Sequence, residues 1–496
     1  MRIVTARIPD LRLDGISILA GSGPVSGRTL RMQALRYAEA LASIGAKVVA
    51  SRLDNGPEWL ALDLALRELD AAHVPLPTFF TPAQVQHAIA SSGAQVLVTA
   101  AGHPMPAGVD AFGTRALDTS LAMSRLDVQP QALPAGTACI TYTSGTTGQP
   151  KGVCLSEESM LEVASSLVDA TRSLSTRRHL CLMPLSTLLE NVSGLYAALL
   201  ANSDIAVPSL AEIGYTGAAG LDMSRLLACM AKYEPESAIV LPQLLLGLVT
   251  AAEQGHRMPS SLRFLAVGGG RVGARLVQRA KAVGLPVYEG YGLTECASVV
   301  SLNRPGADRP GSVGRPLLHA KVEIRDGEVF VEGARCLGYL GEAGPPPGPI
   351  ATGDLGHLDE DGFLHITGRR KNIFITAFGR NVSPEWVESE LLQHPLLAQA
   401  VVWGEAKPTN VAVLWPRRAD ASDAEIAGAI AEVNAELPDY ARIGGFLRAE
   451  RPFSVEDGLL TSNGRPRRDA ILQRYSNRIA EHYLHGAMNL HDEITT

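Results

Sequence analysis

From about Leu30 the sequence alternates between apolar residues at helical spacing and short β-branched runs, and this restricts the fold more than any other property. The stretch Ala34 to Ile44 is followed by Ala46-Lys47-Val48-Val49-Ala50, and helix-like Pro57 to Leu69 precedes strand-like Gln95 to Thr99. Leu262 to Val267 is a further strand, ending in Gly268-Gly269-Gly270. Strands separated by helices pair in parallel, because a parallel connection needs a crossover, so the expected class is α/β with a largely parallel sheet. A chain of 496 residues exceeds one core and divides into a large unit and a smaller one. Four prolines make Gly341 to Pro349 a surface connection, since each lacks a donor and fixes φ. After Gly368 a new unit begins, with Ser383 as expected N-cap, Pro384 at the first helical position, Glu385 in the first turn, and Val387, Leu391 and Leu392 as apolar face. Strand-like Ala400 to Trp403 and Val411 to Trp415, then a helix over Ala424 to Leu437, complete a small α+β domain. The division expected is residues 1–370 and 371–496, with no repeat of solenoid period.

The apolar fraction of 46% and charged fraction of 19% describe a globular chain able to bury a large core. A formal charge of -7 without a long Lys or Arg run excludes phosphate-backbone tracking, so no nucleic-acid partner is expected. Six cysteines without C-x-x-C spacing or a nearby His cluster indicate neither zinc nor a disulfide framework, and are expected reduced and mostly buried. The residues from Met1 to Asp10 lack the apolar core of a signal peptide, and no window suits a bilayer span; a cytoplasmic location is expected. Leu241 to Val249 reads as a core helix rather than a lipid contact.

The strongest chemical signal is Thr141-Tyr142-Thr143-Ser144-Gly145-Thr146-Thr147-Gly148-Gln149-Pro150-Lys151-Gly152-Val153. Its glycines let backbone approach an anion, its hydroxyls donate, and Lys151 adds positive charge, so it suits phosphate. It is not a Walker A loop, because no Gly-Lys-Ser/Thr step closes it. The glycines of Gly21 to Gly27 are a decoy for a dinucleotide fingerprint: the third comes one place late and Pro24 interrupts, leaving a plain turn.

The Thr141 to Val153 segment resembles the phosphate-binding loop of the adenylate-forming superfamily, and further matches follow in that family's order from Leu30 to Tyr483, the long-chain acyl-CoA synthetases being most similar. The resemblance implies a large multi-sheet N-terminal adenylating domain and a small, mobile α+β C-terminal domain. It implies ATP, Mg²⁺ and CoA, or a carrier protein's phosphopantetheine in place of CoA. Thr143, Ser144, Gly145, Thr146, Thr147, Gly148 and Lys151 would then face phosphate. Gly290-Tyr291-Gly292-Leu293-Thr294-Glu295 resembles the adenine and magnesium motif, so Tyr291 with Gly292 would meet adenine, Thr294 the α-phosphate, and Glu295 the Mg²⁺. A carboxylate is the ligand Mg²⁺ prefers beside phosphate. Asp354 would bind the ribose hydroxyls, Arg369 ribose or phosphate, and Lys371 would be the hinge. Gly268, Gly269 and Gly270 would line the adenine and acyl sites. Met183 to Asn191 resembles the acyl-gate motif, with Ser186 and Thr187 at the acyl pocket and no Asp there to pair with an ammonium, so a fatty acid is favoured over an amino acid. Where the family has a catalytic Lys, this chain has Arg465, which would bridge carboxylate and α-phosphate; Arg467 and Arg468 are expected on the surface. A small carboxylic acid, and an acyl carrier protein as alternative thiol donor, are the implied partners. The rival readings are an adenylate-former with another outcome, either transfer to a carrier protein alone or cyclisation of a hydroxy-acid adenylate, and a non-catalytic acyl-nucleotide-binding protein.

Overall fold

The computed structural model describes residues 13–143, 150–216, 220–342, 344, 348–461 and 464–494, with side chains of the last helix described to residue 484. Strand Val48–Arg52 is buried on both faces and pairs in parallel with Ala72–Pro75 and Val96–Ala100, as a Val-rich run between helices should. Around these strands the described residues build an eight-stranded sheet that ends at Gly338–Tyr339 on one edge and Ala111–Ala116 on the other. A second sheet of nine strands carries Phe264–Val267 and Val287–Leu293 side by side in parallel. Helix Pro57–Glu68, apolar around nearly its whole circumference, is buried along most of its length, with Trp59 at 1% exposure. A four-stranded antiparallel sheet follows, running Ala320–Arg325, Glu328–Gly333, Ile350–Leu358 and Leu364–Arg369.

The last part packs helices against strands Leu397–Trp403, Asn410–Pro416 and Ile443–Arg448. Its core clusters draw only on residues from Phe374 onward, while the other clusters end at Ile366. The molecule is therefore a large N-terminal and a small C-terminal α/β body, each burying its own apolar surface. Gly21 and its neighbours form the turn of a hairpin, Ser17–Ala20 with Gly23–Ser26, and Ser26 caps the following helix. Pro242–Glu253 is a core helix that buries Leu244, Leu245, Leu248 and Val249. All six cysteines are free and buried. Among the described residues no helix is long and apolar enough to cross a membrane. Ser383 does precede helix Pro384–Leu391, yet its side chain does not cap it: the hydroxyl turns toward Glu385, 3.4 Å away.

Candidate active site

Strand Val287–Leu293 stays paired with Ser298–Leu302 from Gly290 to Leu293 and then runs into a single 3₁₀ turn, Thr294–Cys296. The strand slips register between Tyr291 and Gly292. A Cβ at Gly292 would lie 1.9 Å from the Ser298 carbonyl oxygen, so the bulge demands glycine. The Tyr291 hydroxyl donates to Asp354 Oδ2 at 2.6 Å, and Arg369 Nε pairs with Asp354 Oδ1 at 2.8 Å. Asp354 and Arg369 face each other in register on neighbouring antiparallel strands. Burial raises the Asp354 carboxyl above its ordinary range, although the Arg369 cation and the Tyr291 bond oppose it. Burial and the Asp354 charge likewise raise the Tyr291 phenol.

On the other side of the Tyr291 segment, Glu295 Oε1 accepts a 2.7 Å hydrogen bond from Tyr339. Lys151 Nζ lies 5.2 Å from the centre of the same Tyr339 ring and 2.9 Å from Glu342 Oε1. Tyr339 thus joins the Lys and the carboxylate that the phosphate and metal motifs single out. Neither Tyr339 nor Glu342 was expected here; the only cue is that Tyr339 stands just before the proline-rich connection and Glu342 within it. Lys151 and Thr143 pair in register at the ends of two antiparallel strands. The Ser144, Gly145, Thr146, Thr147 and Gly148 between them lie outside the described residues.

The Gly268 to Gly270 turn follows strand Phe264–Val267. A Cβ on Gly268 would come 3.2 Å from the Gly290 carbonyl, so turn and adenine motif are neighbours. Gly269 has φ +74, and its vacant Cβ position faces Leu241 at 2.9 Å and Leu189 at 3.6 Å. Leu189 begins a π-helical stretch, Leu189–Tyr196, in the acyl-gate segment. The turn before it is braced: Asn55 Nδ2 donates to the Met183 carbonyl at 3.0 Å, its Oδ1 accepts from Leu185 N at 2.8 Å, and Glu190 Oε2 accepts from Met183 N at 2.9 Å. Ser186 is buried, and the Thr187 hydroxyl is used within the turn, on the Pro184 carbonyl at 2.7 Å. From this segment it is Leu189 that reaches the glycine turn.

Arg465 crosses from the small body and donates through Nη2 to the Gly269 carbonyl. It lies in the cleft between the two bodies, where protein surrounds it and solvent still reaches it. Desolvation, and next the Arg369 charge, hold its guanidinium below the usual range, a setting that favours an incoming anion. Arg467 donates to the Gly458 carbonyl at 3.2 Å and is exposed, as expected. Arg468 corrects the expectation of a surface cation. It pairs with the buried Glu388 at 2.7 Å and donates to the Val402 carbonyl at 3.0 Å, because a fully enclosed carboxylate needs a cation. Lys371 is exposed between two anchored neighbours: Arg370 pairs with Glu328 of the large body at 3.2 Å, and Asn372 bonds Glu385 of the small one.

A family model for AMP-binding enzymes matches residues 15–344, and one for the AMP-binding enzyme C-terminal domain matches residues 371–486. The chain is 27% identical over 530 residues to the long-chain-fatty-acid–CoA ligase FadD15 of Mycobacterium bovis, covering 86% of each. It is 30% identical over 377 residues to the 2-succinylbenzoate–CoA ligase of Bacillus velezensis, covering 72% of this chain and 74% of the relative. The fold is similar to that of o-succinylbenzoate CoA synthetase from Bacillus subtilis, solved with its acyl-adenylate intermediate (TM-score 0.74, 24% identity, 92% of this chain and 95% of that one) and with ATP and magnesium (TM-score 0.71, 24% identity, 92% and 96%).

Proposed function

The chain belongs to the AMP-binding enzyme family and is an acid–thiol ligase of the AMP-forming type, and from that premise we propose that its acid is a fatty acid and its thiol that of CoA. The observation that carries the reading is the glycine turn at which Arg465 from the small domain meets Leu189 and Leu241 from the large one. A cation on the carbonyl of Gly269 and an apolar wall against its Cβ position suit a carboxylate head on an aliphatic chain.

In the proposed sequence a carboxylate oxygen attacks the α-phosphorus of ATP and pyrophosphate leaves. The thiolate sulfur then attacks the acyl carbonyl and AMP leaves. Asp354 accepts from the ribose hydroxyls, Arg369 stands beside it, and the Tyr291 ring with Gly292 offers a face to adenine. Thr143 to Gly148 and Lys151 hold the phosphates, Thr294 the α-phosphate, and Arg465 offsets the charge that grows as the carboxylate attacks. Glu295 suits magnesium, being a partly exposed oxygen donor whose orientation Tyr339 fixes; the ion would supply charge neutralisation at the phosphates. Lys371, between its two anchored neighbours, is the proposed hinge, and 370/371 the proposed boundary. Pyrophosphate release, measured across fatty, aryl and amino acids with CoA, with a carrier protein, or with neither, tests the reading. Release with long aliphatic acids and thioester only with CoA is expected. Release confined to amino or aryl acids overturns the substrate class, and release with none overturns the activity.

A further inference from the structure

The residue after the glycine turn is Arg271, a half-buried cation placed between the two domains. Its Nη1 donates to the carbonyls of Ile366 at 3.4 Å and Thr367 at 3.2 Å, on the last strand of the large domain before the hinge. Three carboxylates lie within its electrostatic reach. Glu289 comes from the large domain's strand Val287–Leu293; Glu385 and Glu390 come from the small domain's helix Pro384–Leu391. Glu289 is 6% exposed, and burial pushes its carboxyl up to about 8 against the pull of Arg271 and of the Val272 N–H. Desolvation likewise disfavours the Arg271 charge, while the three acids favour it.

The helix after Arg271 extends this contact. A Cβ on Gly273 would lie 2.1 Å from Gln393 Nε2 and 3.0 Å from Glu390 Oε1, so the two domains approach closely there. Arg275 also faces Glu390, and Arg279 Nη1 donates to the Gln393 carbonyl at 3.5 Å. Arg275 and Arg279 are four apart, which places them on one side of helix Ala274–Ala282. A basic edge of the large domain thus meets an acidic edge of the small one.

We propose that Arg271 is the positioning residue that seats the small domain on the large one so that Arg465 reaches Gly269. Both contacts fall on the same four-residue turn. Arg465 donates to the Gly269 carbonyl, and two residues on, Arg271 donates to carbonyls of the strand that leads into the hinge, with the Glu385 and Glu390 charges of the next helix favouring its cation. A guanidinium that carries two carbonyl bonds and is drawn by the acids of the neighbouring helix fixes orientation as well as attraction, which an ammonium does less well. The inference rests on the reading that Arg465 serves adenylation.

The test compares wild type with Arg271→Gln and Arg271→Lys in the full chain, with spin labels on Ala101→Cys and Asp420→Cys, both exposed, the six native cysteines being buried. The expected result for Arg271→Gln is a broadened interdomain distance distribution and acyl-adenylate formation at least tenfold slower. Thioester formation from supplied acyl-adenylate should stay within about twofold. Arg271→Lys should recover part of the adenylation rate. An unchanged distance distribution, or an equal fall in both half-reactions with a lowered melting temperature, overturns the clamp. If the wild type adenylates no acid at all, the proposed function fails, while the distance measurement still decides whether Arg271 seats the domain.

Discussion

Three arginines stand within four positions, at 465, 467 and 468, and the structure sends them to three different partners. Arg465 reaches a carbonyl 196 residues away, Arg467 a local carbonyl, and Arg468 a carboxylate 80 residues away. Local sequence carries none of those long-range pairings, which is why Arg465 was legible only through a motif and Arg468 was misread. The opposite error is as instructive. Ser51, His73 and Asp63 are linked by two 2.8 Å hydrogen bonds in the connectivity of a nucleophilic triad, yet Ser51 is 0% exposed and no substrate meets it. Access, more than connectivity, marks Arg465 as the catalytic candidate. Arg465→Ala should slow acyl-adenylate formation by about 10²-fold, the usual cost of losing a preorganised donor to developing charge. Thioester formation from supplied acyl-adenylate should fall far less, and Arg465→Lys should retain appreciable adenylation. Single-turnover measurement of both half-reactions checks this; adenylation at the wild-type rate in Arg465→Ala removes the residue from the mechanism.

At the scale of elements, the regular ones were readable because their signals are local. The expected helix Pro57 to Leu69 is Pro57–Glu68, and the helix over Ala424 to Leu437 is Asp423–Glu436 with a complete capping box at Ser422 and Glu425. The Gly292 bulge and the Leu189 to Tyr196 π-helix were not, because each depends on a close contact that no periodicity encodes: the Ser298 carbonyl backs Gly292, and the His179–Glu190 pair lies against Gly194. The connector between the nine-stranded and four-stranded sheets shows the energetic side of such placement. His319 lies there at 8% exposure, and burial lowers its imidazole to about 4, although the nearby Val299 backbone opposes this. The folded state therefore binds fewer protons than the unfolded one between the ordinary imidazole range and about pH 4. Stability contributed above pH 6.5 is lost as pH falls through that window. Urea unfolding of wild type and His319→Gln at intervals from pH 7 to pH 4 should show their difference shifting in favour of the variant by roughly 3 kcal/mol, then levelling off. A constant difference means that His319 is not the group that titrates.

For the whole molecule the question is how two independently packed bodies share one site. Core clusters do not cross between them, so their relation rests on the short junction at Arg369 to Ile373, on the Arg271 clamp and on Arg465. The junction is tightly tied on both flanks. Arg370 N donates to the Gly353 carbonyl at 2.9 Å, Asn372 N and Ile373 N return to the Arg369 carbonyl at 3.0 and 3.1 Å, and Asn372 bonds Glu385. Only Lys371 is left exposed between those anchors, so a change of domain orientation has to be absorbed in its own dihedral angles or its neighbour's. Proline at 371 fixes φ there and disfavours helical angles at Arg370. The present arrangement already brings Arg465 to Gly269, the contact on which the proposed adenylation step relies. Lys371→Pro should therefore adenylate within a few-fold of wild type and lose at least tenfold, about 1.4 kcal/mol of barrier, in thioester formation from supplied acyl-adenylate. Lys371→Ala, which removes the side chain and leaves the backbone free, should affect neither step by more than about twofold; equal loss of both steps in the proline variant, or the same split in the alanine one, would show that reorientation is absorbed elsewhere.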